Sequence, residues 1–155
     1  MKLDQLIHPK AIVPALAATD RDGVIRELVH AAAAAGVVGE GATDTLVSEI
    51  IARETKGSTG FGKNVAVPHT KRPEVPELVA ALGLSKTGID FKALDRQPVY
   101  IVVLVLSPEG QSKAHIAAMD VIFTNLQHDR FRNALRQAGS TEDIQKVLAT
   151  AQERS

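Results

Sequence analysis

Hydrophobic positions in the first third of the chain recur at helical spacing. Thr19 and Asp20 can each cap a helix, and the apolar positions after them predict that it runs to about Ala35. The apolar face of this helix consists of Val24, Leu28, Ala31 and Ala35. A second helix is predicted from about Thr43 to Glu54, and its inward positions are Leu46 and Ile50.

Shorter apolar runs in the middle of the chain predict strands. An edge strand is predicted at Ala11–Leu16, because Pro14 cannot donate a ladder hydrogen bond. The other predicted strands are Val65–Val67, Val79–Leu84 and Val99–Leu106, and a brief turn or edge element is predicted at Gly88–Phe91. In Val99–Leu106 only Tyr100 carries a polar side-chain atom, which is typical of a central strand covered on both faces.

Helical spacing returns in the last third of the chain. Helices are predicted at about Lys113–Gln127, Asp129–Gln137 and Thr141–Gln152. Helices that alternate with buried strands predict an α/β fold of three layers. No repeat, linker or low-complexity segment interrupts the chain, so residues 1–155 are expected to form a single domain.

Composition and charge argue against several classes of function. Eighteen basic and eighteen acidic residues give zero net charge, and with four Phe, one Tyr and no Trp no nucleic acid partner is expected. The absence of cysteine excludes disulfides and thiolate metal sites. The N-terminus lacks the apolar core of a signal peptide, and the run 99–106 is too short to span a bilayer. We therefore expect a cytoplasmic protein without direct membrane insertion.

The segment from residue 53 to residue 69 carries groups that suit a phosphate site. A guanidinium fork, hydroxyls and glycine N–H groups bind phosphate oxygens, and an imidazole can act as a nucleophile near neutral pH. These groups come from Arg53, Ser58, Thr59, Gly60, Gly62 and His69. No Gly-Lys-Ser/Thr follows the glycines, so a nucleoside triphosphate site is not supported.

Each part of this segment also has a structural alternative. Arg53 follows Ile50 by three positions and is predicted to continue the apolar face, where it could simply lie near a helix C-terminus. The glycine-rich loop could be an anion nest or an ordinary turn that leads into a strand. His69 is predicted just past a strand that Pro68 ends, where it could be a nucleophile or a strand cap.

A second histidine is predicted to reach the same edge of the sheet. If Ser112 is the N-cap of its helix, His115 occupies the third helical position, where the dipole favours an anion and disfavours a charged imidazole. The strand Val99–Leu106 would bring this helix start close to His69. Because His115 also shares a face with apolar residues, a packed core histidine remains the alternative.

The remaining histidines and two other chemistries receive no support. His8, His30 and His128 lie in ordinary surface contexts and are assigned no role. A zinc site that combines His69, His115 and a carboxylate would lack the usual ligand spacing. A Ser-His-Asp hydrolase would lack its Gly-x-Ser-x-Gly turn.

These motifs, taken in order, resemble a known active-site signature. The segments Arg53-Glu54, Ser58–Gly62 and Val65–His69 are similar to the signature of the enzyme IIA domains of the phosphotransferase system. The similarity is to the fructose/mannitol branch, which includes the nitrogen-regulatory IIA proteins. The segment Ser112–Ile116, about 46 residues after His69, resembles the second histidine motif of that family. Lys63-Asn64 departs from the small residues that such proteins often carry there.

The resemblance implies a fold and a function. The fold would be a mixed, mostly parallel sheet flanked by helices, with both histidines at one edge. His69 would accept phosphate from the histidine-containing phosphocarrier protein, with Arg53, Thr59 and His115 stabilising the transferred group. No metal and no cofactor would be needed. The phosphoryl group would pass to a IIB domain or stay as a regulatory mark.

Three functions remain open within that family. The chain could be a nitrogen-regulatory protein, which is favoured because no IIB, IIC or phosphocarrier domain is fused to it. It could instead be a sugar-specific component that passes phosphate to a IIB domain. A degenerate binding module that accepts no phosphate is the third alternative, although Arg53, Thr59, His69 and His115 are all present. In the first two functions it is a phosphotransferase component, acting at least partly as a regulator.

Overall fold

The computed structural model describes residues 1–151 and contains helices and strands over most of that range. The helices are α1 Leu3–Leu6, α2 Arg21–Ala34, α3 Thr43–Lys56, α4 Ser112–Leu126, α5 Asp129–Gln137 and α6 Thr141–Ala149. The strands are β1 Ile7–Val13, β2 Gly60–Gly62, β3 Val65–Ala66, β4 His69–Arg72, β5 Val79–Ile89 and β6 Val99–Pro108. Within residues 1–151, no helix is long and apolar enough to cross a membrane.

The strands form one mixed sheet, as predicted. Its order is β1-β5-β6-β3-β2. Strand β4 also pairs with β6, nearer the C-terminal end of β6 than β3 does. Three of the pairings are parallel, namely β1 with β5 and both β3 and β4 with β6. The pairings of β5 with β6 and of β2 with β3 are antiparallel. The expectation of an α/β fold with a mixed, mostly parallel sheet flanked by helices is confirmed.

Helices cover both faces of this sheet and create two hydrophobic clusters. One cluster contains residues of α2 and α3, and the other contains residues of α1, α4, α5 and α6. Strand β6 supplies both, because Val102 and Leu104 fall in the first cluster while Val103 and Val105 fall in the second. The prediction of a central strand covered on both faces is therefore confirmed.

Strands β3 and β4 keep one register against β6. Val65 lies opposite Ile101 and His69 lies opposite Val105, so the offset is 36 residues in both strands. The carbonyl of Pro68 accepts a hydrogen bond of 2.9 Å from the N–H of Val105. Strand β3 ends at Ala66, so His69 lies just past a strand end, as predicted. His69 also opens β4, which was not predicted, and the Pro68 carbonyl links the two strands because a proline still provides an acceptor.

Several boundaries differ from those predicted. The edge strand β1 begins at Ile7, before the predicted Ala11, and Gly88–Phe91 is not a separate element because β5 extends to Ile89. The helix α1 and the strand β2 were not predicted from the sequence, since both are very short. Asp20 is the N-cap of α2, and its carboxylate accepts from the N–H of Gly23 at 2.7 Å. Ser140 is the N-cap of α6. Helix α6 ends at Ala149, and its predicted end, Gln152, lies outside the described residues.

Candidate functional site

The two histidines selected from the sequence lie beside each other. His69 is the first residue of β4, and His115 is the fourth residue of α4, which follows the end of β6. Their ring centroids are 5.3 Å apart, and the ring planes are inclined by 53°. The predicted convergence of the two imidazoles is therefore present, and it results from the parallel pairing of β4 with β6.

His69 is held through one ring nitrogen. Its side chain is partly buried, and Nδ1 lies 2.9 Å from the carbonyl oxygen of Val67. A carbonyl oxygen can only accept a hydrogen bond, so the proton of the neutral ring must be on Nδ1. The other nitrogen, Nε2, then carries the lone pair. The local chain thus selects the tautomer whose free nitrogen has the lone pair that a nucleophile requires.

His115 lies deeper in the protein than His69. Only 6% of the residue is exposed, and its Nδ1 lies 2.6 Å from Oγ of Ser107, which is fully buried. Burial lowers the pKa of His115 from 6.5 to about 4, with further lowering by the nearby His69 and Lys71. His115 is consequently neutral near pH 7. His115 is thus packed in the core, as in the structural alternative, and it also adjoins His69, while its role in transfer stays a prediction.

The start of α4 differs by one residue from the expectation. Gln111, not Ser112, is the N-cap, so His115 is the fourth helical residue and its N–H donates to the carbonyl of Gln111 at 3.1 Å. The backbone N–H of His115 is therefore already paired. The side chain of His115, not its backbone, is what the residue can offer to a ligand.

A cavity of about 280 Å³ opens beside His69. Its lining residues are Glu49, Ala52, Arg53, Lys56, His69, Thr70 and Lys71. Three of these side chains are cations and one is a carboxylate, so the cavity favours an anion. A larger cavity of about 690 Å³ lies between α4, α5 and α6, and none of the predicted site residues lines it.

Arg53 and His69 line the same cavity, but Arg53 does not reach it from the apolar face of α3 as predicted. It is exposed and does not continue the apolar face of α3, because Glu54 takes the inward position and is only 3% exposed. One guanidinium nitrogen of Arg53 donates to the carbonyl of Gly57 at 2.6 Å. Several other N–H groups of the guanidinium remain for an anion in the adjoining cavity.

Glu54 is a site-supporting residue that the sequence reasoning missed. Its carboxylate accepts hydrogen bonds from both the N–H and the hydroxyl of Thr59, with N···O distances of 3.2 Å for the N–H. The signal was available, since Glu54 lies four residues after Ile50 on the inward face of α3. Because the Thr59 hydroxyl donates to Glu54, it has no proton left for a phosphoryl oxygen in this arrangement.

The glycine-rich segment forms a β-hairpin and not an anion nest. Lys63 and Asn64 both have positive φ, 59° and 66°, and form the two-residue turn between β2 and β3, as in a type I′ turn. The Ser58 hydroxyl donates to the carbonyl of Phe91 at 2.6 Å and accepts from the N–H of Gly60 at 2.9 Å. The Ser58 hydroxyl and the Gly60 N–H are therefore already used within the protein, and the segment is the turn that was the structural alternative to a nest.

The glycines of the hairpin have steric reasons for being glycines. A Cβ on Gly60 would lie 2.9 Å from Cβ of Ala93, and Gly62 has a φ of +109°. Gly60, Gly62 and Ser58 therefore shape the segment that leads to His69. Their predicted direct contact with phosphate remains a prediction, and the structure offers no free donor from Ser58 or Gly60 for it.

Two further residues at the site were not anticipated. Val67 fixes His69 through its carbonyl, and Ser107 contacts His115 through its hydroxyl. Nothing in the sequence pattern marks either residue, because each acts through a contact that exists only in the folded chain. Within residues 1–151, no three His, Asp or Glu side chains are grouped so as to hold a metal ion.

Comparisons with known proteins agree with the fold and the motifs. The sequence profile described as "Phosphoenolpyruvate-dependent sugar phosphotransferase system, EIIA 2" matches residues 5–151. A nitrogen regulatory protein of Bradyrhizobium diazoefficiens is 34% identical over 150 residues, which are 96% of this chain and 95% of that protein. The fructose-specific EIIABC component of Bacillus subtilis is 30% identical over 96% of this chain, which spans only 23% of that longer protein.

Solved structures show the same fold. The nitrogen regulatory protein IIA-Ntr of Neisseria meningitidis superposes with a TM-score of 0.83 at 22% identity, covering 94% of this chain and 97% of that one. Enzyme IIA mannitol of Escherichia coli, in its complex with phosphorylated enzyme IIB mannitol, gives a TM-score of 0.77 at 17% identity. That match covers 92% of this chain and 96% of the other.

The chain therefore belongs to the EIIA family of the phosphoenolpyruvate-dependent sugar phosphotransferase system. Its relatives include both nitrogen regulatory proteins and sugar-specific transport components.

Proposed function

We propose that the protein accepts a phosphoryl group on Nε2 of His69 from the histidine-containing phosphocarrier protein. The observation that carries the proposal is the hydrogen bond between Nδ1 of His69 and the carbonyl of Val67, which leaves a lone pair on Nε2. The cationic cavity beside the ring supplies a place for the transferred anion. A partly buried histidine with one fixed nitrogen and one free nitrogen is suited to carry a covalent intermediate.

The transfer step exchanges one P–N bond for another. The lone pair of Nε2 of His69 attacks the phosphorus in line, and the P–N bond to the donor histidine breaks with its electron pair returning to the donor nitrogen. The proton on Nδ1 of His69 stays in place. As the ring gains positive character, the Nδ1–H bond to the Val67 carbonyl strengthens.

Charge in the transition state would be stabilised by groups that surround His69. Phosphoryl transfer spreads negative charge over three equatorial oxygens, which require fixed donors. Arg53, Lys56 and Lys71 line the cavity and supply positive charge, and His115 supplies a neutral imidazole. No metal is needed in this scheme, because the side chains themselves compensate the charge. Thr59 acts indirectly in it, by anchoring the hairpin to Glu54.

The partners follow from the family and its relatives. The phosphocarrier protein would be the donor, and a IIB domain or a regulatory target would be the recipient. Support for a IIB partner comes from the E. coli complex of enzyme IIA mannitol with phosphorylated enzyme IIB mannitol. We further propose that residues 1–155 act as one domain, since the family profile extends from residue 5 to residue 151.

Of the two family functions, we favour nitrogen-type regulation. The nitrogen regulatory relative from Bradyrhizobium diazoefficiens is 34% identical to this chain, and the fructose-specific relative from Bacillus subtilis is 30% identical. Phosphorylation of His69 would add about two negative charges to a chain whose net charge is zero, which can make or break a protein interface. The sugar-specific function remains the second candidate, because that relative is 30% identical.

Intact mass spectrometry tests the proposal directly. The protein is incubated with phosphoenolpyruvate, enzyme I and the phosphocarrier protein, and wild type is compared with His69→Ala. We expect wild type to gain the mass of one acid-labile phosphate and His69→Ala to gain none. A folded wild-type protein that gains no phosphate from a cognate, phosphorylated carrier would contradict the proposal and favour a degenerate binding module. Adding a IIB domain to the phosphoprotein then separates the functions, since only a transport component should lose its phosphate to it.

A further inference from the structure

The positions of the heavy atoms do not show whether Ser107 or His115 donates the hydrogen bond between them. Ser107 Oγ and His115 Nδ1 are 2.6 Å apart, and both residues are buried. In one arrangement the serine hydroxyl donates to Nδ1, and the ring proton is on Nε2. In the other arrangement Nδ1–H donates to the serine oxygen, and Nε2 is bare.

The buried serine decides between these arrangements. In the second arrangement the hydroxyl hydrogen of Ser107 would need another acceptor, and among residues 1–151 its hydroxyl has no hydrogen-bond partner besides His115. A buried hydroxyl that donates to nothing costs about 1–3 kcal/mol. In the first arrangement the hydroxyl hydrogen and the ring lone pair satisfy each other, so this arrangement has the lower free energy.

We infer that Ser107 is a positioning residue, which fixes His115 as the tautomer with its proton on Nε2. Because Nδ1 is occupied by Ser107, Nε2–H is the only polar group that this ring can offer to a ligand. An N–H group donates to a phosphoryl oxygen, whereas a bare nitrogen would repel it. The tautomer rests on the Ser107 contact alone, while its use in transfer also rests on the proposed function of His69.

The neutral state of the ring strengthens this role. Burial, His69 and Lys71 together hold the pKa of His115 at about 4, so the ring is a neutral donor at pH 7. A neutral donor stabilises the phosphoryl oxygens without trapping the group by a full ion pair, which keeps onward transfer feasible. Ser107 therefore contributes to transfer although it cannot reach the phosphate through its own hydroxyl, which is donated to His115.

Nitrogen-detected tautomer analysis of the unphosphorylated protein tests the inference. In wild type labelled with ¹⁵N-histidine, long-range ¹H–¹⁵N correlation at pH 7.5 should show His115 protonated on Nε2 and His69 protonated on Nδ1. A His115 protonated on Nδ1 in wild type would overturn the inference. This measurement requires no phosphate, so it remains decisive even if His69 is never phosphorylated.

Variants of Ser107 then connect the tautomer to transfer. Ser107→Ala should slow phosphorylation of His69 by the carrier about 10-fold to 100-fold, the range found for groups that orient a histidine ligand at metal sites. Ser107→Thr keeps a hydroxyl and should restore most of the rate together with the Nε2–H tautomer. The matched control is Ser85→Ala, which removes another buried serine, one that accepts from the N–H of Gly88 at 3.0 Å.

The outcomes separate the inference from the proposed function. A Ser107→Ala protein that is folded, keeps the Nε2–H tautomer and transfers at the wild-type rate would contradict the positioning role. Equally slow transfer in Ser107→Ala and Ser85→Ala would also contradict the positioning role, because it would show that losing any buried serine hydroxyl lowers stability enough to slow transfer. No phosphorylation of wild type, together with the Nε2–H tautomer at His115, would refute the proposed function and leave the assignment of the tautomer intact.

Discussion

The two histidines of the site show how one side chain acquires opposite properties from its surroundings. His69 has its Nδ1 against the carbonyl of Val67, an obligatory acceptor, while His115 has its Nδ1 against the hydroxyl of Ser107, which can donate. His69 is partly exposed, whereas His115 is 6% exposed. His69 therefore keeps a lone pair on Nε2 beside the cavity, whereas in the arrangement inferred above His115 accepts at Nδ1 and keeps its proton on Nε2.

This difference teaches that the role of an imidazole is set by the partner of its second nitrogen. Residue type alone assigns both histidines to the same class of group. In the proposed function, the contact with Val67 leaves His69 as the nucleophile and the contact with Ser107 leaves His115 as a donor, so the two roles are complementary and not redundant. Variants of the two histidines and of Thr59 can test that complementarity.

Replacing His69, which carries the lone pair, should abolish phosphorylation, whereas replacing His115, the donor, should only slow it. His69→Ala is expected to gain no phosphate at any incubation time, because the neighbouring imidazole of His115 has its Nδ1 paired with Ser107 and, in the inferred tautomer, a proton on Nε2. His115→Ala is expected to reach the full phosphorylated mass eventually. Time-resolved intact mass spectrometry distinguishes the two variants by end point. Full phosphorylation of both variants would show that either imidazole can accept the phosphate, and no phosphorylation of His115→Ala would show that transfer requires both.

The rate for His115 variants should depend on whether an N–H donor remains. His115→Ala is expected to slow transfer by about 100-fold, the size observed when one fixed transition-state donor is removed. His115→Gln retains an amide N–H and should slow it less, by about tenfold. Rapid-quench measurement of the carrier reaction gives both rates on folded protein. If His115 only packs the core, His115→Gln should lower stability and leave the transfer rate unchanged.

The buried ring should also make stability depend on pH. The pKa of His115 is about 4 in the folded protein and 6.5 ordinarily. The contribution of the neutral ring to the free energy of unfolding is therefore complete above pH 6.5. Between pH 6.5 and about 4 only the unfolded chain takes up the proton, and the free energy of unfolding falls, by at most about 3 kcal/mol.

Urea unfolding at several pH values checks this linkage. His115→Gln is the control, because other titrating groups cancel when the two proteins are compared. Wild type should lose more stability than the variant between pH 6.5 and 4, and the difference should level off below pH 4. Parallel pH profiles would indicate that His115 titrates alike in the folded and unfolded states.

The smallest effect on transfer is expected at Thr59. Thr59→Val removes the hydroxyl that donates to Glu54 and should lower the free energy of unfolding by about 1–3 kcal/mol, because a buried carboxylate loses one donor. The transfer rate of the folded variant should change less than twofold. Thr59→Ser, which keeps the hydroxyl, is the matched control. A large loss of rate in Thr59→Val, with none in Thr59→Ser, would instead support the direct contact between Thr59 and phosphate that the sequence predicts.

The sequence predicted the elements that depend on local periodicity. The long helices, the central strand β6 and the meeting of His69 with His115 all followed from apolar spacing and strand order. Arg53 was placed on the wrong face of α3, because residues 53 and 54 follow Ile50 by three and four positions, both of which suit the inward face, and the buried one is a carboxylate. The spacing of apolar residues alone does not reveal that Thr59 satisfies a buried Glu54.

The details that set the chemistry could not be read from the pattern. Val67, Ser107 and the turn at Lys63-Asn64 act through contacts or backbone angles that depend on neighbouring strands. The turn was not anticipated because type I′ geometry favours glycine or asparagine at both central positions, and a lysine occupies the first. Tautomers in particular depend on a single hydrogen-bond partner, which no spacing rule encodes.

The shared register of β3 and β4 with β6 has a consequence for how relatives of this chain can be found. His69 and His115 are separated by 46 residues in the chain, but their spacing in the fold is fixed by ladder pairing at the level of Val105. The chain between β4 and β6 folds as β5 and its loops, and its length does not determine where the rings meet. Insertions in those loops should be tolerated, so a search that requires a constant interval between the two histidine motifs would overlook proteins with the same site.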